Sequence, residues 1–211
     1  MTADPGTPRP QPGFVEQARR HQIIAAAVEV IAEHGLAAAT FARIAARAGI
    51  SPPLISYHFG SKSELLGSVI DHLEARFEAA LEAHVDGATS YADALRRLIE
   101  AHVEHTSSGS VDVLALGRLH HAGPDLESIR PRGAERDTWI IEIESMLLEG
   151  QAEGEFPAFH TRPMAVTILA ALEAAPAHLA AHPDLDPSAY ARELADLFVV
   201  AATTRRRRRH R

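Results

Sequence analysis

The chain of 211 residues carries a formal net charge of −7, no cysteine and 46% hydrophobic residues. The missing thiols exclude disulfides and thiolate zinc sites. Apolar residues fall in short periodic runs with no uninterrupted membrane-length stretch, so a soluble cytoplasmic protein without a membrane partner is expected.

Residues 1–14, MTADPGTPRPQPGF, contain four prolines and no apolar core, which predicts a disordered arm rather than a secretory leader. From about Val15 to His34, Ile23, Ile24, Ala27, Val28 and Ile31 recur at helical spacing, and Gly35 supplies the stop. Thr40 is placed to cap a second helix whose Phe41, Ile44, Ala45 and Ala48 share one face, and Gly49 ends it where the chain turns through a left-handed conformation. Ser51 then reads as the cap of a third, short helix, with Pro52 as its first residue and Ile55 and Phe59 facing inward. Ser61 and Glu64, three apart, form a capping-box pattern that opens a fourth helix running through Leu65, Leu66, Val69, Leu73 and Phe77 to about His84.

Further helices are expected at about 90–106, 110–121, 125–150, 162–181 and 187–203, separated by glycine, serine and proline breaks. No segment shows the alternation of a sheet, so the chain is predicted all-α with nine helices. The last two are unusually apolar. Met164, Val166, Ile168, Leu169, Leu172 and Leu179 mark one, and Tyr190, Leu194, Leu197, Phe198 and Val200 the other. Such a pair can close a core or meet its copy in a four-helix interface.

Charge divides along the same lines. Residues 1–62 hold six basic and four acidic side chains, residues 63–204 hold nine and 24, and six of the last seven residues are arginine. Phosphate neutralisation is local, screened within ~8–10 Å, so the negative total does not exclude DNA as a partner. An acidic body would discourage indiscriminate adsorption to DNA.

The stretch Thr40–Lys62, TFARIAARAGISPPLISYHFGSK, has the layout of a helix-turn-helix, whose second helix enters the major groove. Residues 19–66 resemble the N-terminal domain of the tetracycline-repressor (TetR) family. The matching residues are Arg20, Ile23–Ala27, Gly35, Thr40, Ile44-Ala45, Ala48-Gly49-Ile50-Ser51, Tyr57-His58-Phe59, Ser61-Lys62 and Leu65-Leu66. Beyond them the likeness is confined to helix count, the paired apolar helices and the weak motif Glu149–Phe156, EGQAEGEF. Between the proline-rich arm (1–14) and the basic tail (205–211), both read from composition, the resemblance implies a helix-turn-helix domain (15–60) and a helical effector-binding and dimerisation domain (61–204). It further implies a homodimer paired through the last two long helices. The function it implies is that of a repressor released from a palindromic double-stranded DNA operator by a small molecule.

By the same resemblance, Thr40 caps the second helix near a phosphate and Arg43 lies on that helix's outer face. Ser51, Pro52, Pro53, Ser56 and Tyr57 form the start and exposed side of the recognition helix, and His58 and Lys62 touch the backbone. Many members carry Tyr in place of Ser56 and a polar residue or Gly in place of Pro52 or Pro53. Base readout is therefore expected to lean on Ser51, Ser56, methylene contacts or the shape of the site. The alternative reading is a helical small-molecule or protein sensor whose head does not read DNA. The effector pocket is expected between the fourth and eighth helices, with Phe77, His102, His105, Leu114, Leu116, His120, Trp139, Ile143, Met146, Leu147, Leu172 and Glu173 as candidate walls. Trp139, the only tryptophan, can stack flat ligands, and three tyrosines with few amides suggest an apolar or aromatic effector.

Thirteen histidines raise the question of metal. His102 and His105 share a helix face that could meet His120 and His121, and His178 and His182 are four apart, but HLAAH lacks the glutamate of a zinc protease. Structural histidines are the expectation, with no metal. No Gly-x-Ser-x-Gly elbow, paired catalytic carboxylates or phosphate-cradling loop is present, so neither an enzyme nor a cofactor is expected.

Overall fold

The computed structural model describes residues 12–120 and 132–204. The proline-rich arm up to Gln11, His121, the helix start expected at 125 and the arginine tail lie outside the described residues. The helices, in chain order, are α1 (Pro12–His34), α2 (Phe41–Ala48), α3 (Pro52–His58), α4 (Lys62–Val85), α5 (Tyr91–Ser107), α6 (Val111–His120), α7 (Arg132–Ala152), α8 (Thr161–Ala181) and α9 (Pro187–Thr203). A 3-10 turn at Leu36–Ala38, not expected from sequence, joins α1 to α2. No strand occurs among the described residues.

The chain forms two compact units, and their boundary falls inside helices. The first takes the described chain through Leu73 together with α6 from Leu114; the second takes the rest. Burial explains why α4 is divided. Leu65, Leu66, Val69, Ile70 and Leu73 join Ile23, Ala27, Ile31, Ile44, Ile55 and Phe59 in one core, to which α6 adds Ala115 and Leu119. A division at residue 61 follows the turn, whereas the packing follows the apolar stripe of α4 across it.

Local chemistry sets the turns of this first unit. Thr40 Oγ1 accepts from the Arg43 amide at 3.3 Å, and Ser61 Oγ accepts from the Glu64 amide at 3.1 Å. Gly49 ends α2 at φ 66°, ψ 35°, and the Ile50 amide reaches back to the Ala45 carbonyl at 3.0 Å, closing a Schellman turn. Ser51 corrects the expectation of a side-chain cap. It stands at the cap position of α3, but its hydroxyl caps nothing. Pro53 has no N–H to offer, and the Leu54 amide already donates to the Ser51 carbonyl at 3.0 Å.

In the second unit α9 lies along α5, and α8 packs against both α5 and α7. The core is built from Leu95, Ile99, Val103, Ile143, Leu147, Ala165, Ile168 and Leu172, among others. By length and composition α8 could cross a membrane, which qualifies the reading that no stretch reaches that length. Its Ala165, Ile168, Leu169, Leu172, Ala175 and Leu179 are buried in the protein's own core. The apolar residues of α9 lie on two faces rather than one: Tyr190, Leu194 and Phe198 pack inward, while Leu197 and Val200 are 69% and 59% exposed. Val166 of α8 also lies outward.

The motif Glu149–Phe156 ties α7 to α5. Gly154 turns at φ 77°, the Glu155 and Phe156 amides both bond the Gly150 carbonyl at 2.9 Å, and the Glu155 carboxylate accepts from the Tyr91 and Ala92 amides at 2.7 Å each. A carboxylate there satisfies two free N–H groups and meets the positive end of the α5 dipole. A Cβ on Gly150 would stand 2.5 Å from the Phe156 ring, itself buried, and 3.0 Å from Tyr91 Cβ. Helix propensity alone favours Gly150→Ala by about 1 kcal/mol. Overpacking works against it and is the larger effect, so the variant should lose about 1–3 kcal/mol in denaturant unfolding.

His102 is buried against Phe77, their ring centroids 5.2 Å apart. Burial first, and His105 second, push its imidazole down from 6.5 to about 4. The neutral ring is therefore the folded form, and the unfolded chain binds the extra proton below pH 6.5. His102 should make the fold lose stability as pH falls from 6.5 to about 4, by roughly 3 kcal/mol in total, with no further change below. In His102→Leu, unfolding midpoints measured across that window should fall less steeply by this amount.

Candidate nucleic-acid interface

Seven residues make α3 two-faced. Ile55 and Phe59, four apart, are completely buried, which turns Ser51, Pro52, Pro53, Ser56 and Tyr57 to solvent. Tyr57 is 77% exposed, unusual for a large aromatic side chain in a well-packed unit. His58 is half-buried and meets the Tyr57 ring edge-on at 5.1 Å, so it supports the tyrosine from beneath. Thr40, Arg43 and Lys62 are exposed at the start of α2, on its outer side and at the start of α4. The α3 start is poor in backbone donors, because Pro52 and Pro53 carry no N–H; the free Ser51 hydroxyl is the polar group left at that end.

Two side chains of α1 fix the pair of helices. Arg20 donates to the carbonyl of His58 at the end of α3, and its guanidinium lies 4.1 Å from the centre of the Phe59 ring. Gln22 Nε2 donates to the Ala48 carbonyl at the end of α2, at 2.8 Å. Each satisfies a carbonyl that a helix C-terminus leaves open, and the arginine adds a cation at the negative end of the dipole. The sequence marked Arg20 as a family match but assigned it no role, and it gave no sign of Gln22.

Arg47 does not belong to the cationic face. It pairs with Glu29 at 2.9 Å and with Glu33, whose hydrogen bond is the main reason the guanidinium is held more firmly protonated and the Glu33 carboxyl is lowered. Among the described residues, Arg43 and Lys62 make no ion pair, so both offer an exposed positive charge at this face.

The second unit holds a cleft of about 310 Å³, lined by Glu78, Leu81, Glu82 and Val85 of α4, Leu98 of α5, and Trp139, Glu142, Ile143 and Met146 of α7. Of the expected wall residues, Trp139, Ile143 and Met146 line it. Phe77 does not line it but touches Trp139, ring centroids 5.8 Å apart, and also meets His102 edge-on and His105 at a tilt. Leu147 and Leu172 are closed within the core, and Glu173 stands on the surface paired to Arg136 at 3.0 Å. Leu114 is exposed and belongs to the first unit, where Leu116 packs on the core. The side chain of His120 lies outside the described residues. Sequence reasoning missed Glu78, Glu82 and Glu142 because a charged helix face reads as solvated surface. The one available signal was the like-charged pair Glu78 and Glu82 at i, i+4, an arrangement that disfavours a helix without some other reason for it.

His178 and His182 stack with centroids 4.4 Å apart, and His182 Nδ1 lies 2.9 Å from the His178 carbonyl. No group of three potential ligands converges among the described residues.

Residues 23–69 match the profile described as bacterial regulatory proteins, tetR family. A helix-turn-helix transcriptional repressor of Mycobacterium tuberculosis is 30% identical over 136 residues, 63% of this chain and 70% of that protein. A TetR transcription regulator from Haloarcula marismortui superposes with a TM-score of 0.77 at 21% identity, over 89% of this chain and all of that one. The transcriptional regulator FadR of Bacillus subtilis, solved in complex with stearoyl-CoA, superposes at 0.68 and 22% identity over 85% of this chain and 97% of that one. With the exposed tyrosine, the clamped α2–α3 pair and these relatives together, the chain belongs to the TetR family of transcriptional regulators.

Proposed function

We propose that this DNA-binding, ligand-responsive regulator is a repressor that binds a palindromic operator as a homodimer and is released by a small molecule held in the second unit. The exposed Tyr57, projecting from a helix whose opposite side is fully buried, carries the reading. Each subunit presents residues 51–58 to the major groove of one half-site. Thr40, Arg43, His58 and Lys62 take the flanking phosphates, and Ser51 and Ser56 supply the short-range polar contacts to bases. With two prolines at its tip, α3 offers few donors, so the recognised sequence depends on groove shape and on pairing two half-sites ~34–36 Å apart.

The effector is read as a ligand of the Trp139 cleft. Stearoyl-CoA in the Bacillus subtilis neighbour is a ligand of that protein, and it supports an amphiphile as the general type. A ligand releases DNA only by as much as it prefers the DNA-incompetent arrangement. The dimer contact is assigned to α8 and α9, where Leu197, Val200 and Val166 leave an apolar face uncovered.

Gel-shift titrations with DNA from upstream of the chain's own gene test the head. Tyr57→Ala should weaken sequence-selective binding by at least tenfold. Lys62→Ala should weaken all sequences alike and lower the salt slope by about one. Both residues are exposed, so unfolding midpoints should not move. A head that does not read DNA would show no selective, salt-sensitive binding in the unaltered protein. Leu197→Asp should convert the dimer to monomer in sedimentation velocity and reduce operator affinity with it; an unchanged dimer would place the interface elsewhere.

A further inference from the structure

The lining of the cleft is chemically lopsided. Trp139, Leu81, Val85, Leu98, Ile143 and Met146 give it an apolar floor, while Glu78, Glu82 and Glu142 are its charged side chains among the described residues. Among the same residues no lysine, arginine or histidine lines it. Five described arginines of this unit are paired with other acids: Arg76 with Asp112, Arg96 with Asp196, Arg97 with Asp93, Arg136 with Glu173 and Arg162 with Glu144. His102 and His105, behind the floor, are both shifted toward the neutral form by burial.

We propose that the cleft binds an organic cation with an apolar body, the positive group seated among Glu78, Glu82 and Glu142 and the body laid over Trp139. The proposal rests on reading this cleft as the effector site. Three carboxylates around one opening repel one another, and partial burial, then Glu78 and Glu82, hold the Glu142 carboxyl above its ordinary range. A cation relieves that repulsion, an anion worsens it, and a neutral molecule gains only the apolar floor. The indole face adds a favourable seat for an ammonium group. About 310 Å³ fits a molecule at the small end of the drug-sized range.

Trp139, the only tryptophan, reports occupancy by its fluorescence. Decyltrimethylammonium, decanol and decanoate, each below its micelle concentration, present one chain with three head-group charges. In DNA-free protein at low salt the ammonium should bind at least tenfold tighter than decanol, and decanoate more weakly than either. Glu142→Gln and the double variant Glu78→Gln/Glu82→Gln should each weaken the ammonium about tenfold and leave decanol unchanged. In the unaltered protein, ammonium affinity should fall as the pH drops through the carboxylate range while decanol affinity stays level, a readout that needs no variant to fold. Equal affinities for the three probes, or glutamine variants that bind the ammonium as tightly as the parent, would overturn the proposal. The same probes are then added to the protein–operator complex. Ammonium binding without release of DNA would sink the effector reading and leave the cation site standing. Selective operator binding combined with no preference for the ammonium would sink the cation site alone.

Discussion

A helix as short as α3 has no standing of its own, because nucleating the first turn costs more than seven residues can return. What keeps it in place is burial of Ile55 and Phe59 together with the grip of Arg20 on its last turn. Complete burial of a side chain the size of Phe or Ile contributes ~1.5–3 kcal/mol, so the two together are of the size of the nucleation cost of about 4 kcal/mol. Arg20 decides the orientation: one guanidinium holds a carbonyl and a ring that are adjacent in sequence, so α3 cannot roll without breaking both contacts. The exposed Tyr57 depends on that, since a rolled helix would turn the tyrosine toward the core and Ile55 toward the groove.

The same economy governs charge. A count along the chain gives the first 62 residues an excess of two positive charges, yet Arg47 is spent on Glu29 and Glu33, and Arg20 on α3. Arg43 and Lys62 remain exposed at the face proposed to meet phosphate. So small a cationic contact gives one subunit weak hold at physiological salt, because each neutralised phosphate contributes about one unit of salt slope. In the proposed dimer, two subunits on two half-sites restore affinity, and the weakness of each alone keeps the protein off random DNA.

What could be read from sequence was whatever a few neighbouring residues decide. Thr40, Gly49 and Ser61 are local devices, and the structure has each in its expected role. Ser51 shows the limit of pattern reading: a serine before a helix predicts a cap, but Pro53 removes one amide a cap would hold and the other, of Leu54, donates to the Ser51 carbonyl. Glu155 satisfies amides more than sixty residues away, and nothing near it in the chain points to α5. The phase of α9 was ambiguous because apolar residues occupy two of its faces, and only the partner helix decides that Phe198 turns in and Leu197 out. The cleft was half legible. Trp139, Ile143 and Met146 follow from their size and spacing, whereas Glu78, Glu82 and Glu142 acquire meaning only when α4 and α7 bring them to one opening.

In the effector reading proposed above, that opening constrains how strong the control of DNA binding can be. The free energy that a ligand supplies to DNA release is its preference for one arrangement over the other, and linkage makes the effect mutual: operator DNA must weaken the ligand by the same factor. In that reading the three carboxylates repel one another at the empty cleft, and Glu142 is held above its ordinary range by partial burial and then by Glu78 and Glu82. A cation that relieves this repulsion gains affinity from it, in addition to its apolar contacts. If the DNA-bound arrangement holds the glutamates farther apart than the free one, the cation favours the free form through that difference alone. Selectivity for charge and response to ligand would then have a common origin in the spacing of Glu78, Glu82 and Glu142.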